Sequence, residues 1–489
     1  MEKYVYRSEA LPKPIVPDHP EWVDLFYKTW ELAFRNVEYI EQDGWKPQMT
    51  CMPGVNTIWQ WDSCFMVFIT NYANQTISAL NNLDNLYRLR RTADGYMSMA
   101  YRINTELPAW PGRINPPLMA WAEWESYLVS GDVARLDSVI DSIEGNYQFV
   151  ENNRRRTCGL YWFEDPGSSG MDNAPRGPYG AGELDGSGIC HVDLACQQAL
   201  SAKCMANIFQ VLGKAEKADF YRGEQARINE LVNRYHWCEK TGFYFDFFAR
   251  GSADAKVKFI NSKTAAAFWT ILCGAAEGKR LEQMIEHLFD PNEFYTKIPF
   301  ASLSADDPNF DPSGGYWLGG VWAPTNYAAI RGLAENNRSS LARETAIRYL
   351  DGICAVNRDP AYGSIWECYS PSAYRPATAE AGEIVRSDFV GWSGLAPITM
   401  LIENIIGLRF NAAENAITFE MFPGQEYGLE NMLFNGGKVS IVCQEYIPIA
   451  GMSLIRVFCD NPFTLVVKNN YAWGEYRFEV PAGSSEFRV

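Results

Sequence analysis

From Pro20 to about Leu408 the sequence is a near-continuous succession of helical patterns, and this limits the available folds more than any other feature. Apolar residues recur at three- and four-residue spacing over 20–42, 62–71, 75–91, 115–130, 134–153, 191–212, 214–235, 260–274, 279–289, 323–335, 338–356 and 389–407. Start signals stand ahead of several, such as Asp18-His-Pro-Glu before the first and Asn115-Pro-Pro before the fourth. Gly131-Asp132, Gly213 and Gly278 leave only short breaks, which implies antiparallel helical hairpins. Twelve helices in six hairpins predict a double ring, an (α/α)6 toroid. A helical solenoid is the alternative, but no fixed-period repeat is visible. The loops between hairpins are also long and rich in Gly, Pro and aromatic residues, and such loops usually carry function.

Beyond Leu408 the periodicity switches. Asn415–Met421, Gly437–Glu445, Met452–Asp460, Phe463–Asn469 and Gly474–Val480 are short β-rich runs, separated by turn chemistry such as Asn435-Gly-Gly and Pro481-Ala-Gly. The expected organisation is an extended N-terminal arm over 1–19, a helical catalytic domain over 20–408 and a small antiparallel β-domain over 409–489.

Charge narrows the partners. With 43 basic and 59 acidic residues the net charge is −16, and no basic run exceeds Arg154-Arg155-Arg156. Nucleic-acid binding needs clustered Lys and Arg, so it is not expected. An anionic surface also disfavours anionic substrates, which points to a small neutral ligand. No apolar run approaches the roughly 18 residues of a membrane span, so no membrane association is expected. No signal-like apolar stretch is visible near Met1, so the expected location is cytoplasmic, or periplasmic if a signal has been removed. The 12 cysteines are scattered singly, as in a reduced protein. Cys190 and Cys196 bracket His191 without a second Cys or His pair, and Asp306-Asp307-Pro-Asn309-Phe-Asp311 lacks the glycine spacing of a calcium loop. Neither metal nor cofactor is therefore expected. The oligomeric state is left open.

Four loop segments carry clustered aromatic residues, a carboxylate, or both. They are Trp59-Gln-Trp61-Asp62, Gly170-Met-Asp172-Asn173-Ala-Pro-Arg176, the run from Gly315-Tyr316-Trp317-Leu318 to Trp322-Ala-Pro-Thr-Asn326-Tyr327, and Trp366-Glu367-Cys-Tyr369, with Gly391-Trp392-Ser393-Gly394 soon after. Of 16 tryptophans, six lie in these segments (59, 61, 317, 322, 366 and 392). Sugar rings present apolar C–H faces to aromatic rings and hydroxyls to carboxylates and amides. Glycosidic cleavage needs two carboxyl groups, one to protonate the leaving oxygen and one to activate water or attack carbon. Asp172 and Glu367 form the best pair, because both sit among apolar residues where desolvation raises an acid's pKa. Each segment also has a plainer reading. Asp62 suits a helix N-cap, Asp172-Asn173 an Asx turn, and the tryptophans a large core.

At these motifs the sequence resembles the (α/α)6 inverting glycosidases of glycoside hydrolase family 63, including its mannosylglycerate hydrolase-like group, with trehalases more distant. The resemblance covers roughly residues 40–408. It implies Asp172 as general acid and Glu367 as general base. It also implies a sugar pocket lined by Trp59, Trp61, Asp62, Asn115, Asn173, Arg176, Tyr316, Trp317, Trp322, Trp366 and Trp392. The family often shows Arg where this chain has Leu318, Gln where it has Asn115, and Trp where it has Gly177. Loss of a forked cation at 318 argues against a glycerate-type acidic aglycone, although Arg113 can supply one from a neighbouring loop. The expected activity is exo-acting, inverting hydrolysis of an α-linked neutral glycoside, α-glucosidase-like. A rhamnosidase, phosphorylase or lyase on the same scaffold and a non-catalytic carbohydrate-binding protein are the alternatives.

Overall fold

The computed structural model describes residues 3–177, 186–249, 257–422, 425–444, 453–469 and 474–489. Residues 178–185 of the long loop, together with Glu445 and Met452 at two expected strand ends, lie outside that set.

Twelve helices of the described residues organise the chain up to Ile406. They are α1 Pro20–Arg35, α2 Gln60–Thr70, α3 Leu80–Leu89, α4 Met119–Ser130, α5 Val133–Arg154, α6 Val192–Val211, α7 Ala215–Tyr235, α8 Trp269–Cys273, α9 Lys279–Leu288, α10 Ala323–Glu335, α11 Ser339–Arg358 and α12 Ala396–Ile406. The even-numbered helices are the buried ones. Every side chain of α2 and α12 is out of solvent, whereas α3, α7 and α9 bury only one stripe. Each even-numbered helix packs on the next, α2 on α4, then α6, α8, α10 and α12, and α12 returns to α2. The odd-numbered helices lie outside them. The short α4–α5 connection turns on Gly131, in the left-handed conformation at φ 70°. Asp132 then caps α5 by accepting the Arg135 N–H.

Several expected helices come out shorter, 75–91 contracting to Leu80–Leu89 and 115–130 to Met119–Ser130. Helix α1 ends at Arg35, because Val37–Glu38 pairs with Gln48–Met49 as a short antiparallel ribbon. The stretch 260–274 is helical only from Ala265, where Thr264 is extended and bridges Leu303. The last begins at Ser393, preceded by Asp388 at φ 56°. It closes with an i→i+5 bond from Gly407 N–H to Ile402 C=O, the signature of π-type winding.

The C-terminal part holds two sheets. With β1 Lys13–Ile15, the strands are β2 Leu408–Asn411, β3 Ala416–Met421, β4 Tyr427–Phe434, β5 Gly437–Cys443, β6 Leu454–Cys459, β7 Phe463–Asn469, β8 Gly474–Val480 and β9 Gly483–Arg488. One sheet runs β1-β4-β5-β6-β9 and the other β2-β3-β7-β8. The expectation of a purely antiparallel domain is corrected here, because β3 and β7 are parallel. The reason is topological: the chain leaves after β3, builds β4–β6 in the other sheet, and re-enters beside β3 in the same direction. The N-terminal arm is tied to this domain. Strand β1 pairs with β4, Lys13 against Glu430, and Lys13 Nζ meets Glu430 Oε2 at 2.8 Å. The β-domain docks on the end of α4, where Leu128 and Val129 accept backbone bonds from Ala412 and Asn435. No helix among the described residues is long and apolar enough to cross a membrane.

Candidate active site

The even-numbered helices alternate with outer ones and so share one direction, which brings the segments before their N-termini to one end. Trp59, Trp61 and Asp62 open α2, Asn115 precedes α4, Tyr316–Trp322 leads into α10, and Glu367 and Trp392 lie ahead of α12. Asp62 sits inside the first turn of α2, and Trp59 holds the cap position, so Asp62 is not the N-cap.

These segments enclose a cavity of about 330 Å³. Ten of the expected residues line it: Trp59, Trp61, Asp62, Asn115, Asp172, Tyr316, Trp317, Trp322, Glu367 and Trp392. The Trp317 and Trp322 rings stack at 4.1 Å and 3°, and Trp392 meets Trp322 edge-on at 5.6 Å. Gly170 packs against the Trp61 ring, where a Cβ would come within 2.3 Å.

Three expected contacts fall elsewhere. Arg176 is 1% exposed and makes paired bonds to Asp193 (2.7 and 2.6 Å) and Asp246 (2.8 and 3.0 Å). It joins the loop after Asp172 to the start of α6 and does not line the cavity. A guanidinium fork satisfies two carboxylates at once. Asn173 turns away to brace the neighbouring loop, giving Nδ2 to Gly315 C=O (3.0 Å) and accepting Trp317 N–H (2.8 Å). Trp366 bonds Tyr362 C=O through Nε1 at 3.1 Å, outside the lining.

The cavity also takes Arg386, and residues that motif reading passed over: Met52, Met99, Trp110 and Phe389. Trp110 arrives because Thr57–Trp59 pairs with Ala100–Arg102 and Ala109 N–H bonds Ala100 C=O, which sets the Trp59 and Trp110 rings 5.1 Å apart. An isolated tryptophan carries no local signal of this kind. Arg113 lines the cavity but is ion-paired to Asp165 at 2.7 Å, and Leu318 lies outside the lining. No residue of the β-domain contributes among those described.

Electrostatics separate the three carboxyls. Asp172 is open to water within the cavity yet hemmed in by protein. That desolvation first, and the charge of Glu367 second, push its pKa up to about 7. Asp62 is 3% exposed and is likewise raised to about 7, chiefly by burial, against the lowering effect of Cys51, whose thiol donates to Oδ1 at 3.2 Å. Helix N-terminal dipoles favour carboxylates here, but burial outweighs them. Glu367 is 5% exposed and raised by burial, with Tyr316 opposing: its hydroxyl donates to Oε1 at 2.9 Å. The Glu367 backbone is fixed too, its carbonyl accepting Trp392 Nε1 at 2.8 Å and its N–H donating to Arg386 C=O at 2.9 Å.

Paired carboxyls beside a bed of indole rings, at one end of a helical scaffold, define a carbohydrate-cleaving class of enzyme. The chain belongs to the mannosylglycerate hydrolase MGH1-like glycoside hydrolase family, whose domain model matches residues 55–381. It is a glycoside hydrolase of an inverting family. It is 25% identical over 436 residues to an uncharacterized protein of Borreliella burgdorferi, covering 87% of this chain and 88% of that one. It is 27% identical over 253 residues to a probable mannosyl-oligosaccharide glucosidase of Schizosaccharomyces pombe, matching 48% of this chain but only 29% of the yeast protein. In fold it is similar to the family 63 mannosylglycerate hydrolase of Thermus thermophilus in complex with glucose, with TM-score 0.61, 17% identity, and coverage of 77% of this chain and 99% of that one.

Proposed function

We propose that the protein is an exo-acting, inverting α-glycosidase that releases one neutral sugar from a short oligosaccharide or glycoside. The closed succession of even-numbered helices supports an (α/α)6 toroid as its scaffold. The observation that carries the functional reading is that Asp172 and Glu367, 195 positions apart in sequence, face one aromatic cavity.

Asp172, protonated near neutrality, donates to the glycosidic oxygen as the bond to the anomeric carbon breaks. Glu367 takes a proton from a water that attacks the opposite face of the sugar. Tyr316 holds one oxygen of Glu367 at 2.9 Å and the Arg386 N–H reaches the other only at 3.5 Å, so the second oxygen is the one to meet water. Asp62 binds sugar hydroxyls beside the stacked indoles. A cavity of about 330 Å³ is near the small end of ligand sites, which favours a terminal sugar over the interior of a chain.

Hydrolysis of a panel of α-linked disaccharides, followed by NMR of the first-formed anomer, tests this. The β-anomer is expected, and an α-anomer at early time overturns inversion. A second reading, phosphorolysis, is favoured by Arg386, which lines the cavity and whose backbone bonds Glu367. Release of a sugar phosphate in inorganic phosphate buffer distinguishes it.

A further inference from the structure

The long loop that carries Asp172 starts and ends on a pair of thiols. Arg156 N–H bonds Leu160 C=O at 2.7 Å and Gly159 N–H bonds Arg156 C=O at 2.9 Å, folding 156–160 into a tight turn with Cys158 near its tip. His191 N–H bonds Tyr161 C=O at 2.9 Å, which lays the strand Ile189–Cys190 alongside. The two Sγ atoms, 32 positions apart in sequence, then lie 3.7 Å from each other, and both thiols are free. Cys158 is half-buried and reachable from solvent, while Cys190 is fully buried.

The surroundings differentiate the pair. The Arg156 guanidinium stacks over Trp162 at 5.1 Å, and its Nε and Nη2 are buried without a hydrogen-bond partner, leaving positive charge beside the turn. The Cys190 thiol hydrogen-bonds the Cys158 sulfur, the largest influence on it, and with the Leu160 amide and Arg156 it pulls Cys158 down to about 6. Cys190 is pushed far up by the same bond and by burial, so it keeps its proton. A reachable thiolate next to a protonated neighbour is the arrangement of an attacking and a resolving cysteine.

We propose that Cys158 and Cys190 are a reversible oxidation site for a peroxide. The Cys158 thiolate attacks one peroxide oxygen, the O–O bond breaks, and the departing hydroxide takes a proton to leave as water, giving Cys158 sulfenic acid. The Cys190 sulfur then displaces the sulfenic hydroxyl, which leaves with the Cys190 proton as a second water, and the S–S bond forms. In total, two thiols and one peroxide give one disulfide and two waters. The bond ties together both ends of the loop bearing Asp172. Neither cysteine lines the catalytic cavity, so turnover survives while the loop frame gains heat resistance.

The test treats the full chain with stoichiometric hydrogen peroxide, alkylates it without reduction and maps its peptides. A Cys158–Cys190 cross-link is expected, with Tm raised by about 3 °C and both changes reversed by dithiothreitol. Cys190→Ser should stop at a dimedone-trapped Cys158 sulfenic acid. A wild-type Cys158 that stays alkylatable, passes to sulfinic acid or pairs with another cysteine overturns the proposal.

Discussion

Asp172 holds its proton more tightly than an ordinary aspartate, because protein surrounds it and Glu367 lies near. Its job as acid requires that proton, so kcat/KM should fall as pH rises through about 7, measurable as the alkaline limb of a pH profile. Asp172→Asn should lower kcat by about 10³. The same change should raise heat stability at pH 8. A carboxyl whose folded pKa is raised contributes stability that is present below its unfolded value and lost as pH climbs through the folded one, and asparagine removes that loss. Calorimetry of the two proteins at pH 5 and pH 8 checks the sign. Tyr316→Phe acts on the other limb. It deletes the hydroxyl that holds Glu367 down, so the acidic limb should move to higher pH and kcat should drop by about tenfold, consistent with loss of a bond to a charged group.

Helix starts and the loops before them do the positioning. Gly170, at φ 77°, lets the Asp172 loop pass against the Trp61 ring. Gly170→Ala should displace one or the other and reduce kcat more than it changes Tm, compared by kinetics and thermal unfolding of the same preparation. Arg176 serves packing. Arg176→Met strands two buried carboxylates and should cost about 3–5 kcal/mol in urea unfolding, with KM of the remaining folded enzyme unchanged. This residue also shows where sequence reading stops. An arginine next to an expected catalytic acid reads as a sugar contact, because its true partners lie 17 and 70 positions away. The tryptophans at 59, 61, 317, 322 and 392 could be read toward a shared cavity because each stands in a loop motif, with carboxylates close by in several. Trp110 and Phe389 could not, since only strand pairing and ring packing deliver them.

For the whole molecule, helix periodicity was legible because nearly every helix has an apolar stripe, a cap or a glycine break. Strand β4 was not, because the bulge between Leu429 and Met432, with Asn431 at φ 58°, disrupts its alternation. The parallel β3–β7 pair was equally hidden, since direction depends on a crossover that no local pattern encodes. Removing residues 1–16 takes β1 away and bares the edge of β4. The truncated protein should associate at micromolar concentration in light scattering while its cavity residues stay untouched.

The pairing of β1 with β4 bears on how the protein is made. Lys13 leaves the ribosome 417 positions ahead of its partner Glu430. At about 5–20 residues per second, the first strand waits some tens of seconds for its neighbour. Over that interval a nascent chain exposes an unsatisfied strand, and this seam cannot close before Tyr427–Phe434 has been made.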